Sequence, residues 1–445
     1  MIAAGIATIT SQTLYSAEER QITHEAYGHI LTNTRVWSPD GRWIVYDVRS
    51  DEAGAVFDGK RIEAVNVETG AVKLLYESQR GANCGAASWH PREMRVVFIL
   101  GPENPTLDWQ YGFGHREGVM VDFVRTGVAH HLDARDLTPP FTPGALRGGS
   151  HLHIWDAAGD WLCFTYNDAL VEPELRAVGV AVPERPVSVP RAHPRNHDGD
   201  YFCVLATRTT ANPVPGSDEI SRACEEGWIG ANGYLRADGT RQEKALAFQG
   251  TVVATNGQTV LEVFVADLPG DLTQAGDGPL EGTTERRPSP PKGIKQRRLT
   301  FTTDRKFPGI QGPRHWLRSS PDGVRIAFLM KDNSGVVQIW TISPNGGTPA
   351  QLTRNAHDIA SAFTWSPDGR AIAHVMDTSV CVTDTDTGQT TRLTPPCDVA
   401  SAPRPEACVF SPDGTAIAIV RRQKNGESLV NQICVVFLKN RNSVP

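Results

Sequence analysis

One turn-and-strand motif recurs along this chain. "WSPDGRWIVYDV" begins at Trp37, "SSPDGVRIAFLM" at Ser319, "WSPDGRAIAHVM" at Trp365 and "FSPDGTAIAIVR" at Phe410. Two degenerate copies, "WHPREMRVVFIL" from Trp89 and "WDAAGDWLCFTY" from Trp155, lie between them. Proline early in the turn fixes φ, and Asp with Gly supplies the reversal. The alternating or fully apolar run that follows is a strand. From Pro321 to Pro367 to Pro412 the spacing is 46 and then 45 residues. That is the length of a four-stranded propeller blade. A second echo, "QIT" at 21, "DLT" at 136, "RLT" at 298, "QLT" at 351 and "RLT" at 392, falls where each outermost strand would end.

A further blade is harder to see. "YFCVLATRTT" from Tyr201, "KALAFQGTVV" from Lys244, "TVLEVFVADL" from Thr259 and "QRRLTF" from Gln296 supply four strands. This requires insertions at 210–243, where "PGSDEISRACEEGWIG" suggests a short helix with Glu219, Arg222 and Glu226 on one face, and at 269–293. The expected fold is therefore all-β, a seven-bladed β-propeller over residues 20–440. Residues 20–24 would supply the missing outer strand of the last blade and remove an open sheet edge. Residues 1–19 would form a flexible leader and 441–445 a tail.

Length and composition agree with one large repeat fold. The chain has 445 residues, 40 % of them apolar, and a net charge of −6. Basic residues are scattered, so no nucleic-acid surface is expected. No apolar run approaches the ~18 residues of a membrane span. The N-terminus lacks a Lys/Arg start, which favours a cytoplasmic protein; a periplasmic one would need an atypical signal. Eight cysteines without a C-x-x-C pair fit buried, reduced thiols. There is no G-x-S-x-G nucleophile elbow, no P-loop and no dinucleotide fingerprint.

The repeats also provide a ruler. In each blade the strand before the turn is innermost and lines the central channel. Six residues before the proline position stand Asn33, Gly85, His151, His315, Ser361 and Glu406. Four before it stand Arg35 and His153, and ten before it His29, Arg147 and His357. His-x-His at 151 and 153 would place both imidazoles on one face of a strand. With His315 and Glu406 they could bind a divalent ion, Mn, Ca or Zn; alternating histidines also occur as satisfied polar pairs. Arg147 and Arg314 could neutralise an acidic substrate or make backbone contacts in the crossover loops. His115 is a candidate base or a surface histidine. Residues His29, Asn33, Arg35, His193 and Arg195 lie on the expected ligand face, with His197 beside them. Trp316, Trp109 and Tyr111 could stack on a sugar ring or sit in a core.

The "LT…SPDG" blades resemble those of TolB-like propellers over nearly the whole chain. "GHILTNTRVWSPDG", "GPENP", "TPGALRGGSHLHIW", "FTYND", "PGSDEI…EEGW" and "PRHWLR" resemble the enterobacterial YidR-type family. A more distant likeness is to oligogalacturonate lyases, which implies a manganese site built from histidines; the Gln of that pattern is Gly148 here. Together these imply a monomeric, metal-assisted lyase or hydrolase acting at the channel mouth. Its substrate would be a small molecule or oligosaccharide, acidic and carbohydrate-derived. The rival reading is a non-catalytic propeller that binds a protein or small ligand.

Overall fold

The computed structural model describes residues 15–32, 35–51, 56–313, 316–426 and 428–440. Among these residues the only helices are two three-residue 3₁₀ turns, Phe113–His115 and Val399–Ser401. The remainder is strand and loop. No helix is long and apolar enough to cross a membrane.

The strands form antiparallel meanders of four. The first comprises Gly28–Ile30, Trp43–Arg49, Arg61–Asn66 and Val72–Glu77; the second Cys84–Trp89, Arg95–Leu100, Glu117–Asp122 and Ala129–His131. The third holds Gly148–Trp155, Leu162–Asp168, Arg176–Val182 and Phe202–Leu205. A fourth, Arg222–Trp228, Lys244–Val253, Thr259–Leu268 and Lys295–Arg298, joins the third through one parallel pairing, Arg176 with Arg222. The fifth starts at Arg318–Ser319 and the sixth at Thr364–Trp365. The last contains Pro403–Phe410, Ala416–Asn425 and Ser428–Asn440 and is completed by Tyr15–Gln21.

Two expectations are corrected. The N-terminal strand starts at Tyr15, inside the segment expected to be a leader, because Tyr15 to Gln21 pair without interruption with Asn440 to Cys434. The segment 210–243 contains no helix. Its "RACEEGW" is the innermost strand of the fourth meander, and "FCVL" at 202–205 is the outermost strand of the third. Glu219, Arg222 and Glu226 therefore share no helix face. The segment 269–293 carries no strand, as expected of an insertion.

The repeated turns form by repeated chemistry. Ser38 Oγ donates to Asp40 Oδ1 at 2.5 Å and accepts from the Trp43 amide at 3.0 Å, while Gly41 takes φ +69°. The same bonds join Ser320 to Asp322, Ser366 to Asp368 and Ser411 to Asp413. In the degenerate copies other side chains take over. His90 Nδ1 accepts from the amides of Arg92 and Glu93, and Asp156 Oδ1 accepts from those of Gly159, Asp160 and Trp161.

The cores lie between meanders and run in a cycle. Val45 and Ala64 pack with Trp89 and Phe98, and Val97 and Met120 with Trp155 and Phe164. Val178 and Phe202 pack with Phe248, and Val265 with Phe328. Ile339 meets Phe363 and Ile372, and Val382 meets Ile419. Tyr46 and Val65 of the first meander pack with Ala418 and Val435 of the last.

His374 lies inside this core, donating or accepting one bond with Thr383 Oγ1 at 2.8 Å, and burial pushes its imidazole down to about 4. A depressed histidine stabilises the fold fully above its ordinary value of about 6.5 and loses that contribution as pH falls toward 4. The shift corresponds to about 3 kcal/mol. Urea unfolding of the wild type should lose stability between pH 6.5 and 4 more steeply than His374→Gln; parallel curves would refute the assignment.

Candidate functional site

The second meander and the long connection leading to the last strand of the third bring together three metal-ligand side chains. Glu117 opens the strand Glu117–Asp122, His131 ends its outer neighbour, and His197 lies in the connection after Arg176–Val182. Their ligand atoms lie within 4.8 Å of one another. His197 Nε2 is 2.8 Å from Glu117 Oε2, and His131 Nδ1 is 3.9 Å from Oε1. The two imidazoles stack with centroids 3.9 Å apart.

His197 Nδ1 lies 3.2 Å from the Asp198 carbonyl, an acceptor that fixes a proton on that nitrogen. Nε2 then turns a lone pair toward the Glu117 carboxylate without hydrogen-bond geometry, as does the enclosed His131 Nδ1. Two acceptors at 2.8 Å repel unless a proton or a metal ion lies between them. Burial pushes His131 down to about 4, keeping it neutral. Burial alone would raise Glu117, but His197, Arg135 and His131 hold it down to about 2. A neutral His131 imidazole beside an ionised Glu117 carboxylate suits the binding of a divalent ion.

These residues line a pocket of about 650 Å³ shared with Arg80, Trp109, Arg135 and Arg195. Arg135 NH1 is 3.5 Å from Glu117 Oε2. The Trp109 indole N–H is buried without a partner, and Arg135 and Arg195 lie about 6 Å from its ring. His115 stacks on that ring at 3.7 Å. The pocket wall thus carries two guanidiniums and an indole ring next to the three ligands.

The residues expected at the channel mouth are distributed differently. Leu152 takes φ +61° and the ladder shifts between His151 and Ile154. This bulge breaks the two-residue period, so the imidazoles of His151 and His153 do not share a face. His153 turns into the packing between the second and third meanders, against Ser150 Oγ at 3.1 Å, and a Cβ on Gly118 would lie 2.5 Å from its Nε2. His151, well below its ordinary value through burial and then Arg116 and Arg176, faces cations that would repel a metal ion. Ala86 and Glu225 carry the same left-handed conformation at the equivalent positions.

Glu406 lies 3.7 Å from Arg404. Asn33, Arg314 and His315 lie outside the described residues. His29 is enclosed by Thr23, the Asn431 carbonyl, Tyr27 and Tyr46, so it is a core residue that presents nothing to a ligand. Arg147 is buried too: it donates to Asp168 Oδ2 at 2.9 Å and to the carbonyls of Thr283 and Arg286, pinning the 269–293 insertion to the third meander. Arg195 donates to the carbonyls of Glu103 and Asn104, and His193 Nδ1 accepts from the Arg195 amide. Trp316 lies under the Arg318 guanidinium at 4.9 Å. Arg35 lines a separate cavity among the inner strands of the meanders and their turns.

Residues 83–197, which include Glu117, His131 and His197, match a family described as "Protein of unknown function (DUF3748)". The Escherichia coli (strain K12) protein "Uncharacterized protein YidR" is 46 % identical over 408 residues, 90 % of this chain and 94 % of that one. The chain belongs to the YidR family. In fold, this YidR-family chain is similar to an oligogalacturonate lyase in complex with manganese, at 10 % identity and a TM-score of 0.52 over 96 % of both chains. A putative TolB from Agrobacterium tumefaciens matches with a TM-score of 0.39 and 15 % identity, over 85 % of this chain and 98 % of that one.

Glu117 and His131 were not selected from the sequence. His131 follows a second histidine on a short exposed strand, and Glu117 sits in an ordinary apolar strand, so neither carries a motif. Arg147, selected for ligand binding, is structural. Arg147→Met should leave the Asp168 carboxylate buried and unpaired and cost about 3–5 kcal/mol in urea unfolding. A cost below about 1 kcal/mol would show that the pair is dispensable.

Proposed function

We propose that this chain is a seven-bladed propeller of the TolB-like type that holds one divalent ion at Glu117, His131 and His197 and acts on a small acidic substrate, as a lyase or hydrolase. The observation that carries this reading is the set of three ligand atoms within 4.8 Å at the wall of a pocket lined with arginines. The cyclic order of the inter-meander cores supports the propeller. The site lies among the outer strands of the second meander rather than at the channel mouth.

A divalent ion bound there supplies Lewis acidity at a substrate carboxylate or hydroxyl. Arg135 and Arg195 hold the substrate's carboxylate, and the Trp109 ring carries its flat face. His115 is the candidate base: its Nδ1 lies 2.7 Å from the Gln110 carbonyl, which leaves Nε2 to accept a proton, and burial keeps the ring neutral. The manganese of the oligogalacturonate lyase that shares the fold favours a carbohydrate-derived acid as substrate. The ion pair of Arg135 with Glu117 favours a second reading, in which protonated His197 and Arg135 satisfy the carboxylate and the pocket binds an acid without catalysis.

Titration calorimetry with MnCl₂ and ZnCl₂ on EDTA-treated protein separates the two. The metal reading predicts saturable binding of a single ion. Glu117→Gln, His131→Ala and His197→Ala should each weaken it on the order of 100-fold, with His151→Ala unchanged. No binding, or binding lost only in His151→Ala, would overturn it.

A further inference from the structure

The channel axis holds a second cavity that the proposed metal site does not use. It measures about 420 Å³, and all seven inner strands or their turns contribute to it, from Trp37 and Pro91 round to Phe410. Among the described residues its charged lining is Arg35 and Arg318. Trp37, Trp155, Trp228 and Trp365 also line it.

Arg35 is the unusual member. Its guanidinium forms no hydrogen bond or ion pair with any described residue, and burial lowers its pKa. The one acid it faces is Asp156, which is already engaged by Lys244 and by three backbone amides. Arg318 is engaged differently: it donates to the Leu317 carbonyl and faces Glu225 and Glu226. Arg35 is partly exposed to the cavity, and an anion placed beside its guanidinium would supply the partner that the described residues do not.

The rest of the lining limits what the anion can be. The hydroxyls of Ser320, Ser366 and Ser411 are spent on the turn aspartates, and Thr364 Oγ1 donates to the Cys408 carbonyl. Ser319 Oγ accepts from the Gly230 amide and donates to the Ser320 carbonyl. The indole N–H groups of Trp37, Trp228 and Trp365 donate to backbone carbonyls and are not available to a ligand. A sugar acid would leave its hydroxyls unpaired here. A flat apolar acid would bury its ring against indole and its carboxylate against guanidinium.

We propose that this axial cavity is a binding site for a small aromatic carboxylate, with Arg35 as the anion-binding residue. The site is independent of the metal and differs from the outer pocket in ligand class. The test is titration calorimetry with tryptophan fluorescence, using benzoate, 2-naphthoate, benzamide, galacturonate and inorganic phosphate. Benzoate and 2-naphthoate should saturate one site and perturb the fluorescence; benzamide, galacturonate and phosphate should not. Arg35→Met should weaken 2-naphthoate at least about tenfold, the loss expected of a charge-assisted bond. Arg35→Lys, which keeps the charge but loses the fork, should bind with intermediate affinity and is decisive if Arg35→Met does not fold. Glu117→Gln should bind 2-naphthoate as the wild type does, whatever it does to metal. Equal binding of galacturonate or phosphate, no saturation by either aryl acid, or unchanged affinity in the folded Arg35 variant would overturn the proposal.

Discussion

The hydrogen bond from the Trp37 indole to the Val409 carbonyl, 3.0 Å long, ties the first meander to the last. Its equivalents run from Trp228 to Ile154 and from Trp365 to Arg318, each reaching from one turn to the strand before the preceding turn. Close packing follows the same step. A Cβ on Gly41 would lie 3.9 Å from Pro412 Cδ, and one on Gly414 3.3 Å from Pro367 Cδ. Between the first and last meanders the N-terminal strand adds its own bonds. Arg421 pairs with Glu19, and Thr23 Oγ1 accepts from the Ile433 amide. Each such bond is worth only about 1 kcal/mol, but together they hold the apolar cores in register.

The turns were legible because their chemistry is local. Ser, Pro, Asp and Gly at fixed offsets make one set of hydrogen bonds, and the spacing from Pro321 to Pro412 repeats it. The fourth inner strand was not legible, because its turn at Trp228–Gly230 carries no Ser, Pro or Asp and binds the fifth meander instead, through Ser319. The bulges at Ala86, Leu152 and Glu225 were hidden as well. A period of two residues predicts that His151 and His153 point the same way, and a single left-handed residue between them cancels it.

The candidate metal centre was illegible for a different reason. Glu117 and His131 come from the second meander and His197 from a connection within the third, with no fixed spacing to recognise. Sequence reasoning did reach the neighbourhood, through His115, His193, Arg195 and Trp109, which gather around one indole ring. It also reached Arg35, though the axial cavity it lines is aromatic rather than histidine-rich. The two cavities thus differ in chemistry: Glu117, His131 and His197 line one beside the second meander, and Arg35 and Arg318 line the other among tryptophans of the inner strands.

The account stands or falls on where a metal ion binds. Crystals soaked in MnCl₂ and measured near the manganese absorption edge would show it directly as an anomalous difference peak. The account predicts one peak bonded to Glu117, His131 and His197, with the His197 Nε2 and Glu117 Oε2 atoms turned toward it. A peak on the channel axis at His151, or no peak with those three side chains joined to each other and to Arg135, would contradict it.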